Sequence, residues 1–175
     1  MTYYGAKELA ESWRTVRKNT IQVAEDIPEE KYSFRATPDT MSVGEILAHL
    51  ATSPHWAEQC LFVQKKNNVV MEDFFKWMGE AGEKQKALTT KAAIIDALKT
   101  NGEAFAKYLE SASDSDLGTP VSAPNATKSR FEMALGVKEH EMHHRAQLFL
   151  IERMLGIVPH LTRARQERQA AAAAR

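Results

Sequence analysis

Three histidines fall close together in the run Glu139-His140-Glu141-Met142-His143-His144-Arg145. An α-helix turns about 100° per residue, so spacing alone assigns each side chain to a face. Between Phe131 and Leu155 the residues Met133, Val137, Leu148, Ile151 and Leu155 form one apolar stripe. His140 and His144 are expected in the middle of that stripe, one turn apart, with His143 at its rim. Lys138, Glu141, Arg145 and Glu152 fall opposite and are expected in water. Imidazoles aimed into an apolar interface are costly unless a partner satisfies them. A metal ion does so, since neutral imidazole is the commonest protein ligand for ions such as zinc or nickel. Hydrogen bonds to backbone or water are the alternative. A third imidazole comes from an upstream helix, where Ile46, His49, Ser53, Trp56 and Cys60 share a face. His49, His140 and His144 would leave a tetrahedral ion one open position, the pattern of a reactive site.

Other residues compete for roles beside that triad. Glu45 lies one turn before His49 and could act as a base, but Ser42-Val43-Gly44-Glu45 also reads as a capping box that starts the helix. Gln147 shares the inward stripe and could orient a ligand or bond within the core. Ser53 is the weakest candidate. His55 points away from His49 and is expected at the surface. Cys60 lies about 16 Å along a straight helix from His49, too far to share its ion, and reads as a core thiol. His140-Glu141-Met142-His143-His144 also matches the HExxH pattern of zinc hydrolases. There Glu141 would be the base, yet the expected helix face turns it to solvent. Gln147 and Leu150 stand where the longer pattern has Gly and His.

These side chains need helices to position them. Leu9, Trp13, Val16, Thr20, Val23 and Ile27 repeat at spacings of four and three until Pro28. A second helix starts at Ser42; Pro54 either kinks it or opens a fresh segment. Residues 67–88 carry Phe74, Phe75, Trp77 and Met78 without a clean period, which fits a short helix, a covering loop or a subunit contact. Ile94, Leu98, Phe105 and Leu109 mark a third long helix, beginning near Thr89 or Thr90. Ser111 to Lys128 is rich in turn-forming residues and reads as a loop. Thr127 is the expected cap of the histidine helix, and no segment alternates like a strand. The expected fold class is all-α: a four-helix bundle with long connecting loops, where sites form between facing helices. A single domain over residues 1–160 and a polar Ala/Arg-rich tail over 161–175 follow.

Composition narrows the function classes. Lys plus Arg and Asp plus Glu both number 23, so no net charge draws the chain to nucleic acid or an anionic membrane. No apolar stretch is long enough to span a bilayer. The single cysteine suits a reducing compartment. The opening MTYYGAKELAESW lacks the pattern of a signal peptide, so a cytoplasmic location is expected.

Two stretches then carry a resemblance: Met41-Ser42-Val43-Gly44-Glu45-Ile46-Leu47-Ala48-His49-Leu50 and His140-Glu141-Met142-His143-His144-Arg145-Ala146-Gln147-Leu148. With the Pro28–Phe34 loop and the Gly156-Ile157-Val158-Pro159 exit, the chain from about residue 5 to 160 resembles the DinB/YfiT-like family of four-helix-bundle metalloenzymes. The resemblance implies a divalent ion, zinc or nickel, on His49, His140 and His144. It also implies a small-molecule substrate, with a low-molecular-weight thiol as one class. The chemistry it suggests is a thiol-dependent transferase, isomerase or hydrolase, and a homodimer is expected. A non-catalytic metal-binding or interaction bundle is the alternative.

Overall fold

The computed structural model describes residues 4–174. Helix α1, Ala6–Asp26, buries Leu9, Trp13, Val16, Thr20 and Val23 as the spacing predicts and stops before Pro28. Helix α2, Val43–Thr52, opens in the expected capping box: the Glu45 amide donates to Ser42 Oγ at 3.3 Å and the Ser42 amide to Glu45 Oε2 at 2.7 Å. The chain continues through a short helix α3, His55–Ala57, and a π-helical turn, Glu58–Val63. Ser53 and Pro54 both keep right-handed helical backbone, so Pro54 interrupts the hydrogen bonding without turning the chain away. Helices α4, Met71–Lys86, and α5, Lys91–Ser111, follow, the latter capped by Thr90. A short α6, Asp114–Leu117, leads to a hairpin of strands β1, Pro120–Ala123, and β2, Ala126–Ser129. Helix α7, Arg130–Met154, carries the three neighbouring histidines, and α8, His160–Ala173, runs through the tail. None of the described helices is long and apolar enough to cross a membrane.

The fold is a four-helix bundle. α1 packs against α5 and α7, and α2 against the same two, which places α1 and α2 at opposite corners. α4 lies outside the bundle against α2 and α3.

Several expectations are corrected. The 111–128 segment is not only a loop, because Val69 donates to Ser122 O at 2.8 Å and Ser122 to Asn67 O at 2.9 Å, tying the hairpin to the chain before α4. Ser129, not Thr127, caps α7, in a second capping box with Glu132. The 71–86 helix shows no obvious period because it buries little more than Trp77 and Ala81, one turn apart. Trp77 is thus a core residue, while Phe75 is 64% exposed. The buried face of α7 is also rotated from the expected stripe. It comprises Arg130, Ala134, Val137, Glu141, Leu148, Ile151 and Glu152, so two glutamates assigned to water lie in the core. Among the described residues the Glu152 carboxylate has no hydrogen-bond partner, and burial with the nearby Asp26 charge raises its pKa to about 7.

Glu141 does have a partner. The core divides into two apolar clusters, one around Trp13, Phe105 and Leu61, the other around Ile27, Leu47, Leu98 and Leu148. Between them, at the level where α1, α2, α5 and α7 meet, Arg17 Nη2 lies 2.7 Å from Glu141 Oε2, both residues almost fully buried. Pro54 has no amide hydrogen to give Leu50 O, its helical acceptor. Arg17 Nη2 donates to that carbonyl at 2.9 Å, and Asn101 Nδ2 serves the next one, Ala51 O, also at 2.9 Å. The guanidinium also stacks 4.8 Å from the Trp13 ring centre. Gly102 makes room for it: a Cβ there would sit 2.6 Å from Arg17 Cγ.

Gly102→Ala should therefore destabilise the protein by about 1–3 kcal/mol through overpacking. Gly79→Ala, where an added Cβ meets nothing within 4 Å, should be neutral or stabilising by up to about 1 kcal/mol. Glu141→Gln should cost about 3–5 kcal/mol, because it strands a buried guanidinium. Urea unfolding midpoints of the three variants check these expectations.

Candidate metal centre

The capping box at Ser42 fixes where α2 begins, and His49 follows in its last turn. It faces α7, where His140 and His144 sit one turn apart on the flank of the buried face, half-buried rather than central as the sequence suggested. One ring nitrogen from each of His49, His140 and His144 lies within 4.8 Å of the others. The Nε2 atoms of His49 and His140 are 3.1 Å apart. Ligand nitrogens on a tetrahedral zinc ion, at about 2.0–2.1 Å from the metal, are separated by roughly 3.3 Å. Two Nε2 atoms at such a distance must share a proton or a cation between them. The donor set, three imidazoles with no opposing charge among them, suits a borderline divalent ion.

Gln147 does not lie in the core, where the sequence placed it; it is exposed and acts on the outer side of the triad. His144 Nδ1 lies 2.8 Å from Gln147 Oε1. An amide oxygen only accepts, so the ring donates its Nδ1 hydrogen and keeps the Nε2 lone pair free. The Gln147 amide nitrogen in turn lies 3.3 Å from His143 Nε2, which fixes the amide's orientation. His143 itself is exposed and stands outside the cluster.

Glu45 is held elsewhere. One oxygen caps Ser42, and the other receives Arg35 Nη2 at 2.7 Å, so its carboxylate serves the start of α2. Glu141 is unavailable as an HExxH base because it is buried against Arg17. His55, expected at the surface, is buried, with Nε2 2.7 Å from Glu80 and Nδ1 3.1 Å from Lys84, and anchors α4. Cys60 is a buried free thiol whose burial pushes its pKa up to about 11. Ser53, with Trp56, Phe74 and Met78, lines a cleft of about 230 Å³ against His49 and His140. The sequence missed the α4 residues at this site, among them Gln85, which interacts with His49. The signal in that segment was the one-turn spacing of Phe74 and Met78, which line the cleft, repeated by Trp77 and Ala81.

All three imidazoles are poor bases in this setting. Burial, then the positive charge His144 would carry, lowers His49, against the pull of Gln85. Burial and the neighbouring rings push His140 down to about 4. Burial lowers His144 too, with Gln147 opposing.

Comparisons with known proteins agree with this architecture. Residues 12–148 match the family model described as the DinB superfamily. The uncharacterized protein YjoA of Bacillus subtilis is 29% identical over 145 residues, covering 80% of this chain and 84% of that protein. The DinB-like protein of Bacillus cereus superposes with a TM-score of 0.70 at 18% identity, over 90% of this chain and 97% of its own. YfiT of Bacillus subtilis, described as a probable metal-dependent hydrolase with an unusual four-helix bundle topology, gives a TM-score of 0.66 at 15% identity over 90% and 91% of the two chains.

The low basicity of the triad fixes a pH dependence for the metal-free protein. An unfolded histidine takes up its proton near pH 6.5, whereas folded His140 does so only near 4. Between those values the unfolded state binds more protons, so stability falls as pH drops through that window. Glu152 has the opposite sign: its raised pKa removes stability as pH rises towards 7. A His49→Leu/His140→Leu/His144→Leu variant shares the Glu152 contribution and lacks the other. Thermal melts from pH 7 to 4.5 should show a steeper acid loss in the metal-free wild type; parallel profiles would mean the imidazoles are not a shared buried cluster.

Proposed function

The chain belongs to the DinB superfamily, and from that premise we propose that it is a metal-dependent enzyme whose divalent ion, zinc or nickel, is held by His49, His140 and His144. The observation that carries this reading is the convergence of three poorly basic ring nitrogens from two helices within 4.8 Å. A divalent ion bound there would supply Lewis acidity, acidifying a water or a thiol at neutral pH. The protein's own contribution is to orient the ligands. Gln147 holds His144 in the tautomer that offers Nε2, and the cap at Ser42 sets the register of His49. Partners that fix ligating histidines in this way are typically worth 10–100-fold in metal affinity.

The substrate class we favour is a small molecule that includes a low-molecular-weight thiol, in a transfer or isomerisation reaction. Among the described residues, no carboxylate lines the cleft beside His49 and His140. A thiol loses its proton on coordination and needs no such base. Hydrolysis, the activity ascribed to YfiT, is the second reading, favoured by the same open position. A cytoplasmic, reducing setting suits a thiol substrate. The exposed Phe75, Met71 and Val70 on and beside α4 support assembly as a homodimer.

Metal analysis of protein purified without a histidine tag should find about one divalent ion per chain. His49→Ala, His140→Ala and His144→Ala should each remove most of it. His143→Ala should retain it, and Gln147→Ala should bind at saturation with about tenfold weaker affinity. Retention of metal in all three ligand variants would overturn the site. Metal-dependent conjugation of a simple thiol to 1-chloro-2,4-dinitrobenzene would support transfer. Metal-dependent cleavage of a nitrophenyl ester alone would favour hydrolysis, and neither, in the metal-loaded protein, would favour the non-catalytic bundle.

A further inference from the structure

The cleft at the histidine cluster does not end there. Its lining includes Trp56, Phe74 and Gly136, and those three residues also line a larger cleft of about 480 Å³. The second lobe runs between α4, α7 and the hairpin, lined by the apolar Met71, Val121 and Met133 and the polar Asn125, Lys128 and Glu132. Together the lobes have the size and apolar character of a small-molecule site. Trp56 and Phe74 meet edge to face with ring centres 6.1 Å apart.

Gly136 at the neck is the telling residue. It lies well inside α7, where glycine costs about 0.5–1 kcal/mol relative to alanine. At Gly102 that cost is offset by the Arg17 side chain that fills the space. At Gly136 a Cβ would meet nothing within 4 Å. The same holds for Gly79 and Gly82 on α4, but of these three only Gly136 lines both lobes, so a side chain there would enter the passage between them.

We propose that the two lobes form one binding channel for an elongated substrate. Its polar, reacting end lies at His49, His140 and the Ser53 hydroxyl. Its flat apolar body, an aryl or short alkyl-aryl group, passes Gly136 along the wall that the Trp56–Phe74 pair forms on the other side of the neck. The proposal names the substrate class for the metal-dependent reading and rests on it only for the reacting end. The apolar lobe stands on the channel itself.

The test uses two probes on zinc-loaded protein: acetohydroxamate, which is a metal-binding head alone, and 4-phenylbutyrohydroxamate, the same head with an aryl tail. Calorimetric titration should show the tailed probe binding at least tenfold more tightly in the wild type. Gly136→Leu, which fills the neck, should bring the two within about twofold by weakening the tailed probe, with thermal stability intact. Phe74→Ala, at a partly exposed position, should reduce the gain at least threefold and guards against a folding defect in the leucine variant. Equal affinities for the two probes in the wild type would overturn the channel and leave the metal site standing. A metal-free arm separates the two readings: 4-phenylbutanol should shift the Trp56 indole NMR signal in wild type but not in Gly136→Leu. That shift, without hydroxamate binding, would support the channel and sink the metal reading; its absence in the wild type would overturn the channel.

Discussion

The ion pair between Arg17 and Glu141 is the constraint around which this bundle is arranged. Taking both charges out of water costs several kcal/mol each, and their attraction repays that only when the remaining hydrogen-bonding capacity is also met. Here it is met only in part, at the break in α2, while Arg17 Nε and Glu141 Oε1 keep no hydrogen-bond partner among the described residues. Pro54 leaves Leu50 O without its helical donor, and the guanidinium supplies one at 2.9 Å. The same guanidinium needs the space that Gly102 leaves and the face of Trp13, whose indole nitrogen in turn donates to Gly102 O at 2.8 Å. One polar layer therefore joins α1, α2, α5 and α7, with an apolar cluster on either side.

That layer also sets the histidine site. His140 precedes Glu141 by one residue, and His144 follows it by three. On a helix those offsets place both rings to one side of the carboxylate, about 100° and 60° away. Once Glu141 points at Arg17 on α1, His140 and His144 are turned towards the neighbouring α2, where His49 waits. A one-residue slip of α7 would carry Glu141 about 100° away from Arg17 and leave a buried guanidinium without its carboxylate. The electrostatic penalty that forbids the slip thus holds the imidazoles on the flank of the core. A ligand can reach them there, which would be denied at the core's centre.

Much of this was legible in the sequence, and what was not has a common cause. The α1 stripe and the Ser42 box follow from spacing and capping chemistry alone, and both stand. The grouping of His49, His140 and His144 stands as well, because the angle between His140 and His144 does not depend on where the core face is centred. The centre itself was misplaced. Reading Glu141 and Glu152 as solvated charges rotated the face of α7 towards the histidines, when its middle is the glutamate. Burial of a charge depends on a partner far along the chain, in this case Arg17, and no local pattern reveals it. The four-residue strands were too short for alternation to show, and their pairing with Asn67–Val69 is likewise non-local. Helix α4 hid because it touches the bundle through only a few residues.

The two buried glutamates of α7 show why a charge placed beside the triad would have changed its chemistry. Burial raises the pKa of both: at Glu141 the Arg17 guanidinium opposes the rise, whereas at Glu152 the nearby Asp26 carboxylate adds to it and takes the value to about 7. A carboxylate facing the histidines would have favoured their protonated form and made protons stronger competitors for the ring nitrogens. Instead Glu141 turns its charge to Arg17, and Glu45 is held by Ser42 and Arg35. The rings are left with one another, the amides of Gln147 and Gln85, and an apolar wall. Burial without a negative neighbour depresses their basicity, and His140 reaches about 4. Proton competition for such a ring is weak well below pH 6.5, so a divalent ion would meet free lone pairs across the neutral range. The low proton affinity of the cluster thus follows from where the bundle has sent its carboxylates.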